Sequence, residues 1–237
     1  ASRGIGAAIA LKLAQAGAKV LLVSRTLPAE EVNADFEKNG LSYKHFTADL
    51  SRVENITPVV EATLANFGRL DILVNNAGII RRAPVLEYRV EDWDAVLDTN
   101  LKVPFFLAQA CARQMVSQGQ GGKIINICSL LSFQGGILVP AYTAAKHGLA
   151  GVTKSLANEL AAKKINVNGI APGYIRTDNT AALQADPDRS SAIVSRVPQG
   201  DWGQPDDIAG AALFLAGPLS DFIHGHIMAV DGGWMGR

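Results

Sequence analysis

Tyr142 and Lys146 stand four residues apart, so on a helix a phenol and an ammonium share one face. A free tyrosine, with a pKa near ~10, is a poor base at neutral pH. A neighbouring cation favours the phenolate and lowers that value. Such a phenol can exchange a proton with a substrate hydroxyl while hydride leaves or reaches the adjoining carbon. Ser129, at the end of the apolar run Lys123 to Cys128, would hold the substrate oxygen and stabilise developing alkoxide charge. Tyr-x-x-x-Lys alone is common on ordinary helices. Its place after a strand, with a serine upstream, is what singles it out.

Hydride transfer needs a carrier, and the first half of the chain offers a site for a dinucleotide. Gly4 and Gly6 in ASRGIG lie where a turn feeds a helix. Glycines let backbone approach a pyrophosphate, and the helix N-terminus supplies free N–H groups and a positive dipole; tight helix packing would also use them. Ser24-Arg25 closes the next strand, where the adenosine ribose lies in a dinucleotide-binding sheet. NAD-selective sites carry an Asp or Glu there. Here Arg25, with Arg3, could pair with a 2′-phosphate, so the residues favour NADP over NAD unless Arg25 is simply solvated. Asp49, followed by Leu50, could hydrogen-bond the adenine amino group; with Ser51 it could instead cap the helix near Val53. Asn75-Asn76-Ala77-Gly78, directly after DILV, suits a backbone lining a cofactor cleft, or a turn.

The elements that must position these groups alternate along the chain. Apolar runs at 19–24, 41–46, 71–74, 123–128, 165–170 and 226–230 read as strands. Helical patterns cover 5–16, 28–39, 53–67, 90–118, 142–162 and 205–217. Strands separated by helices imply an α/β fold, a doubly wound parallel sheet covered on both faces. No linker interrupts residues 1–237, so one domain is expected. The irregular stretch 172–203 is long enough to be a lid carrying short helices.

Composition excludes several classes. With 22 basic and 22 acidic residues, no net charge favours nucleic acid or an anionic membrane. No apolar run reaches the ~18 residues of a membrane span. Cys111 and Cys128 lie in apolar runs and are expected to be free thiols in a cytoplasmic protein. His45, His147, His224 and His226 have no metal-ligand spacing, so no metal is expected. Trp202, Trp234 and the Gly232-Gly233 turn suit packing and subunit contacts.

In order, ASRGIG, ADL, NNAG, Asn100 in TNLK, Ser129, YTAAK and APGYIRT resemble the short-chain dehydrogenase/reductase family along the whole chain. The resemblance implies that Asn100 joins Ser129, Tyr142 and Lys146, holding a water in a proton relay; a hydrogen bond at a helix kink is its other reading. It implies that Ser2, Arg3, Gly4, Ile5 and Gly6 form the phosphate turn, and that Lys146 also binds the nicotinamide ribose. Pro172, Gly173, Ile175 and Thr177 would line the nicotinamide. In the family a first strand and a Thr-Gly pair precede the position of Ala1, so the polypeptide is expected to extend upstream. A homotetramer is expected by the same resemblance.

IIRR, SLLSFQGGILVPAYTAAK, INVNGIAPGY, DNT and AVDGGW are similar to the 2-deoxy-D-gluconate 3-dehydrogenase family, also described as 2-dehydro-3-deoxy-D-gluconate 5-dehydrogenases. That family is usually NAD-linked, which conflicts with Ser24-Arg25. A sugar-acid substrate needs a cation for its carboxylate. Arg81 and Arg82 are candidates, with Gln134 and Arg176 as hydroxyl or carboxylate contacts. Gluconate 5-dehydrogenase and 3-oxoacyl-carrier-protein reductase are the nearest alternatives, although neutral charge gives an acidic carrier no basic surface. A non-catalytic cofactor-binding regulator is the alternative of another class; the intact Ser129, Tyr142 and Lys146 argue against it.

Overall fold

The structure, a computed structural model, describes residues 1–237. Its six strands are β1 (Val20–Ser24), β2 (Tyr43–Thr47), β3 (Ile72–Asn75), β4 (Gly122–Ile127), β5 (Ile165–Pro172) and β6 (Ile227–Val230). The helices that follow or precede them are α1 (Gly4–Gln15), α2 (Glu30–Lys38), α3 (Ile56–Phe67), α4 (Val90–Leu97), α5 (Val103–Gln118), α6 (Pro140–Leu160), α7 (Ala181–Ala185), α8 (Pro187–Val194) and α9 (Pro205–Ala216). Every strand pairing is parallel, as the strand–helix alternation requires.

Neighbouring residues of β4 show how the sheet is covered. Ile124 packs with Leu107, Cys111 and Met115 of α5 and Ala157 of α6. Ile125 and Ile127 pack against Ile9 and Leu13 of α1 and Ile208 and Ala212 of α9. Successive side chains of a strand point to opposite faces, so an uninterrupted apolar run buries both sides. β5 is buried at all eight residues, two asparagines included. Asn166 Nδ2 donates to the carbonyls of Asp221 and Ile223, both at 2.9 Å. Asn168 donates to Ile223 O and accepts from His226 N at 3.0 Å. These bonds fix the turn that delivers β6, which is why polar side chains are tolerated in a buried strand.

The doubly wound sheet is in two pieces. β1 pairs with β2, while β3–β4–β5–β6 form a second ladder. A cavity of about 460 Å³ lies between β1 and β3, walled by Ile9, Leu13, Leu22, Leu73 and Val74 among others. One edge of β1 and one of β3 therefore carry no ladder partner.

The expected helix 90–118 is also interrupted. α4 passes through a π-helical turn, Asp98–Lys102, into α5. Pro104 at the start of α5 has no N–H to continue the ladder, and Asn100 Nδ2 donates to Val96 O at 2.9 Å. Such turns concentrate at functional positions. Within the stretch 172–203, Asp186 caps α8 by accepting from Asp188 N and Arg189 N at 3.1 and 3.0 Å, with Pro187 at the first helical position. The remaining elements differ from the sequence expectation by a few terminal residues. No helix is long and apolar enough to cross a membrane.

Candidate active site

A cleft of about 1230 Å³ opens along the C-terminal ends of the strands. In open α/β sheets that is where ligands bind. Ser129 lies two residues past β4 in extended conformation, its Oγ accepting from Leu131 N at 3.2 Å. Tyr142 falls in the first turn of α6 and Lys146 in the next. Two buried bonds hold α6 against the segment carrying Ser129: Ser132 Oγ donates to Lys146 O at 2.8 Å, and Asn126 Nδ2 donates to Thr153 Oγ1 at 2.9 Å. Ser129, Tyr142 and Lys146 all line the cleft.

The electrostatics differ from the sequence expectation. Lys146 is only 4% exposed; burial lowers its ammonium from 10.5 to about 8. Its Nζ donates to Ile127 O at 2.6 Å and lies 5.5 Å from the centre of the Tyr142 ring. The Tyr142 phenol is not lowered. Burial pushes it up to about 12, opposed by the facing Ser129 hydroxyl and by the positive field of Arg82. Desolvation of a phenolate costs more here than those neighbours recover. The residue is part-buried and forms part of the cleft wall, so the contents of the cleft determine how much of that burial remains.

Asn100 lies behind the cleft wall and is fully buried. Its Nδ2 donates to Ile79 O and Val96 O, both at 2.9 Å, while its Oδ1 has no partner. A Cβ on Gly78 would sit 2.6 Å from that oxygen. The kink role and an unspent acceptor thus occur together.

At the other end, Ser2, Arg3, Gly4, Ile5 and Gly6 line the cleft with Ser24, Arg25, Asp49 and Leu50. Gly4 has φ +56°, which a glycine adopts without strain. No side chain caps α1, so its first N–H groups remain open to an anion. Ser24 Oγ donates to Thr26 O at 2.8 Å and so accepts from His45 Nε2 at 3.0 Å. Arg25 has no carboxylate within ion-pair distance, but its charge helps hold the Asp49 carboxyl below its usual range; the backbone bond from Ser51 is the larger cause. Asp49 Oδ1 accepts from Ser51 N and Oγ, a local turn and not a helix cap. Arg3 is tied across the cleft to Asp178 at 2.8 Å. Asn76, Ala77 and Gly78 form the floor, and Pro172, Gly173, Ile175 and Thr177 the opposite lip. An uncapped helix start, an unpaired guanidinium beside the ribose position and the orphaned Asn100 oxygen fit a dinucleotide.

Five arginines were candidates from the sequence, counting Arg3 and Arg25. Arg82 lines the cleft unpaired; Arg81 lines it but pairs with Asp92 at 3.3 Å. Arg176 does not line it. Its guanidinium pairs instead with Asp201 at 2.8 Å. Gln134 lines the cleft and accepts from Trp234 Nε1 at 3.1 Å. Sequence reasoning missed Arg189, Arg196 and Trp234, which also line it. The available signal was Arg189 and Arg196 seven residues apart, two helical turns, inside a stretch already read as a lid.

Comparison with known proteins agrees with this geometry. A family profile described as enoyl-(acyl carrier protein) reductase, within the short-chain dehydrogenase/reductases, matches residues 1–235. The 2-dehydro-3-deoxy-D-gluconate 5-dehydrogenase of Bacillus subtilis (strain 168) is 52% identical, covering 99% of this chain and 91% of that one. The Escherichia coli (strain K12) protein of the same name is 49% identical, covering 99% and 92%. A gluconate 5-dehydrogenase from Burkholderia cenocepacia J2315, crystallised with NADP and tartrate, superposes with a TM-score of 0.92 at 39% identity, covering 100% of this chain and 92% of that one. With the fold, the strand-end cleft and the Ser129, Tyr142 and Lys146 cluster in place, the chain belongs to the short-chain dehydrogenase/reductase family of NAD(P)-dependent oxidoreductases.

Proposed function

We propose that the protein interconverts a secondary alcohol and a ketone on a sugar acid, of the ketodeoxygluconate or gluconate type, with NADP as the preferred carrier. One observation carries the substrate class. In the cleft that holds the catalytic phenol, Arg82, Arg189 and Arg196 are lining residues without a carboxylate partner, whereas Arg3, Arg81 and Arg176 are paired. In a chain of zero net charge, cations left unspent around one site favour an anionic substrate. The names of the Bacillus, Escherichia and Burkholderia relatives support the same class.

The bound nicotinamide supplies or accepts the hydride. Tyr142 Oη holds the proton that travels to or from the substrate oxygen. Ser129 Oγ hydrogen-bonds that oxygen and stabilises alkoxide charge. Lys146 provides the buried positive charge beneath the phenol, and Asn100 Oδ1 offers an acceptor to a relay water behind Gly78. Arg25, with the open N-terminus of α1, holds the phosphates; the unpaired Arg25 supports NADP. We take the chain as one domain acting in a homotetramer. Exposed Trp93, Phe106 and Val116 on α4 and α5 support self-association, which light scattering would test.

A panel of hexonates, ketodeoxy acids and the matching neutral polyols, run with both carriers, tests the reading. Acids turned over at least about tenfold more efficiently than polyols are expected from one well-placed charge contact. Equal turnover of acids and polyols would remove the sugar-acid assignment; strong preference for NAD would remove the NADP one.

A further inference from the structure

We infer that Arg196, Trp234 and Gln134 form a preassembled shelf that binds the carboxylate of the substrate, with Arg196 as the carboxylate-binding residue and Trp234 as the positioning residue behind it. The inference rests on the sugar-acid reading above and names the group of this site that recognises the acid.

Three separate parts of the chain meet there. Gln134 follows the turn that carries Ser129, its backbone N–H bonded to Leu130 O at 3.0 Å. Arg196 follows α8. Trp234 follows β6, 100 residues from Gln134. Trp234 is buried among Leu130, Ile193, Val197 and Trp202, and Tyr174 packs 4.8 Å from it, centre to centre. An indole held this way is a rigid platform.

The Arg196 guanidinium lies 4.0 Å above the centre of that indole. A guanidinium held over a ring by cation–π attraction keeps its N–H donors available to a further partner. None of those groups has a carboxylate or carbonyl partner, so a planar fork of donors is presented unspent on the cleft wall.

The indole also fixes the Gln134 amide. Trp234 Nε1 can only donate, so the atom 3.1 Å from it must be Gln134 Oε1. The NH2 of Gln134 is thereby turned away from Trp234, and no protein group accepts from it. One aromatic ring thus orients two donor groups, one charged and one neutral, in the cleft that Ser129 also lines. A carboxylate with a neighbouring hydroxyl matches that pair. A neutral polyol leaves the guanidinium unused.

The test compares Arg196→Ala, Arg196→Lys and Trp234→Phe with the parent enzyme. Substrates are the acid preferred in the panel and its polyol, and tartrate is the probe for carboxylate binding. Losing a charge-assisted pair should raise KM for the acid about tenfold or more, leave kcat within about threefold and leave the polyol unchanged. Lysine, a point charge without the planar fork, should recover only part of the loss. Trp234→Phe keeps a ring but removes the N–H, so KM for the acid should rise about three- to fivefold. Tartrate binding, followed by calorimetry on the NADP complex, should weaken in parallel with Arg196→Ala. NADPH affinity within about twofold of the parent and a single cooperative unfolding transition establish that the variants are folded.

The shelf is overturned if Arg196→Ala shifts acid and polyol equally, or if tartrate affinity does not change. A parent enzyme with no preference for acids would instead sink the sugar-acid reading. The tartrate measurement then still decides the shelf, because it needs no turnover.

Discussion

The two walls of the cleft hold their cations in opposite ways. On the β4–α6 wall, one ammonium is buried, bonded to a backbone carbonyl and lowered to about 8. On the facing wall and rim, Arg82, Arg189 and Arg196 are exposed guanidiniums with no carboxylate partner. The buried wall carries its charge at a cost to stability, which chemistry repays. The exposed wall carries charge almost without desolvation and is free to exchange it with a ligand. Transformation and recognition are thus separated by burial, and substitutions on the two walls should fail differently.

The largest effect should come from Tyr142→Phe. Removing the proton-transfer group should cut kcat by about 10²- to 10⁴-fold and leave the NADPH dissociation constant within about twofold. Single-turnover kinetics and fluorescence titration would check both; surviving activity would mean the proton travels by another route.

Lys146→Met should separate stability from activity. The folded pKa of about 8 lies below the unfolded 10.5. Between those values the unfolded chain binds more protons, so stability rises with pH across that window; below pH 8 both states are protonated and the burial penalty is complete. The parent-minus-variant stability should climb by on the order of 3 kcal/mol over the window, measured by urea unfolding at several pH values. A flat difference would mean the ammonium is solvated. Activity should be lost throughout, as expected where an active site stores instability.

On the recognition wall the effects should be smaller and selective. Arg82→Ala should raise KM for the acid about five- to tenfold with little change for the polyol. It should also move the alkaline limb of the pH–rate profile upward, because Arg82 holds the Tyr142 phenol down. Arg25→Ala should weaken NADPH about tenfold and leave NADH unchanged; equal weakening would place Arg25 away from the 2′-phosphate.

The same contrast explains what the sequence revealed. The buried wall is built from local spacing: a strand end, a serine, then two residues on one helical face. The six strands and the cofactor turn are legible for the same reason, since apolar periodicity and glycine placement are local. The recognition wall is assembled from distant pieces. Trp234 reads as packing in sequence, and nothing near it shows that its indole orients Gln134 and carries Arg196. Arg81 reads as the equal of Arg82 and Arg176 as a further substrate contact, but Asp92 and Asp201, supplied by other segments, engage them. The raised phenol was hidden too: helical spacing reveals that Lys146 is near Tyr142, but not that burial outweighs it. The split of helix 90–118 depends on the Asn100 bond to Val96, which periodicity does not encode.

The smallest expected effect probes how the exposed charges act. Arg3 and Asp178 join the two lips of the cleft, with side chains 71% and 67% exposed. An exposed pair of this kind contributes about 0–1 kcal/mol to stability, so Asp178→Asn should scarcely move Tm. Its effect on the carrier distinguishes two roles. As a latch, the pair slows release, and its loss speeds NADPH dissociation. As a charge sink, Asp178 cancels Arg3, and its loss leaves another unpaired guanidinium facing the phosphates. The second role follows from the pattern on this wall, where unpaired cations meet anions. NADPH should therefore bind about twofold tighter to Asp178→Asn at low ionic strength, and the gain should vanish near 0.5 M salt as screening shortens to about 4 Å. Stopped-flow dissociation at two salt concentrations would read it directly. Faster release, insensitive to salt, would instead make the pair a mechanical closure.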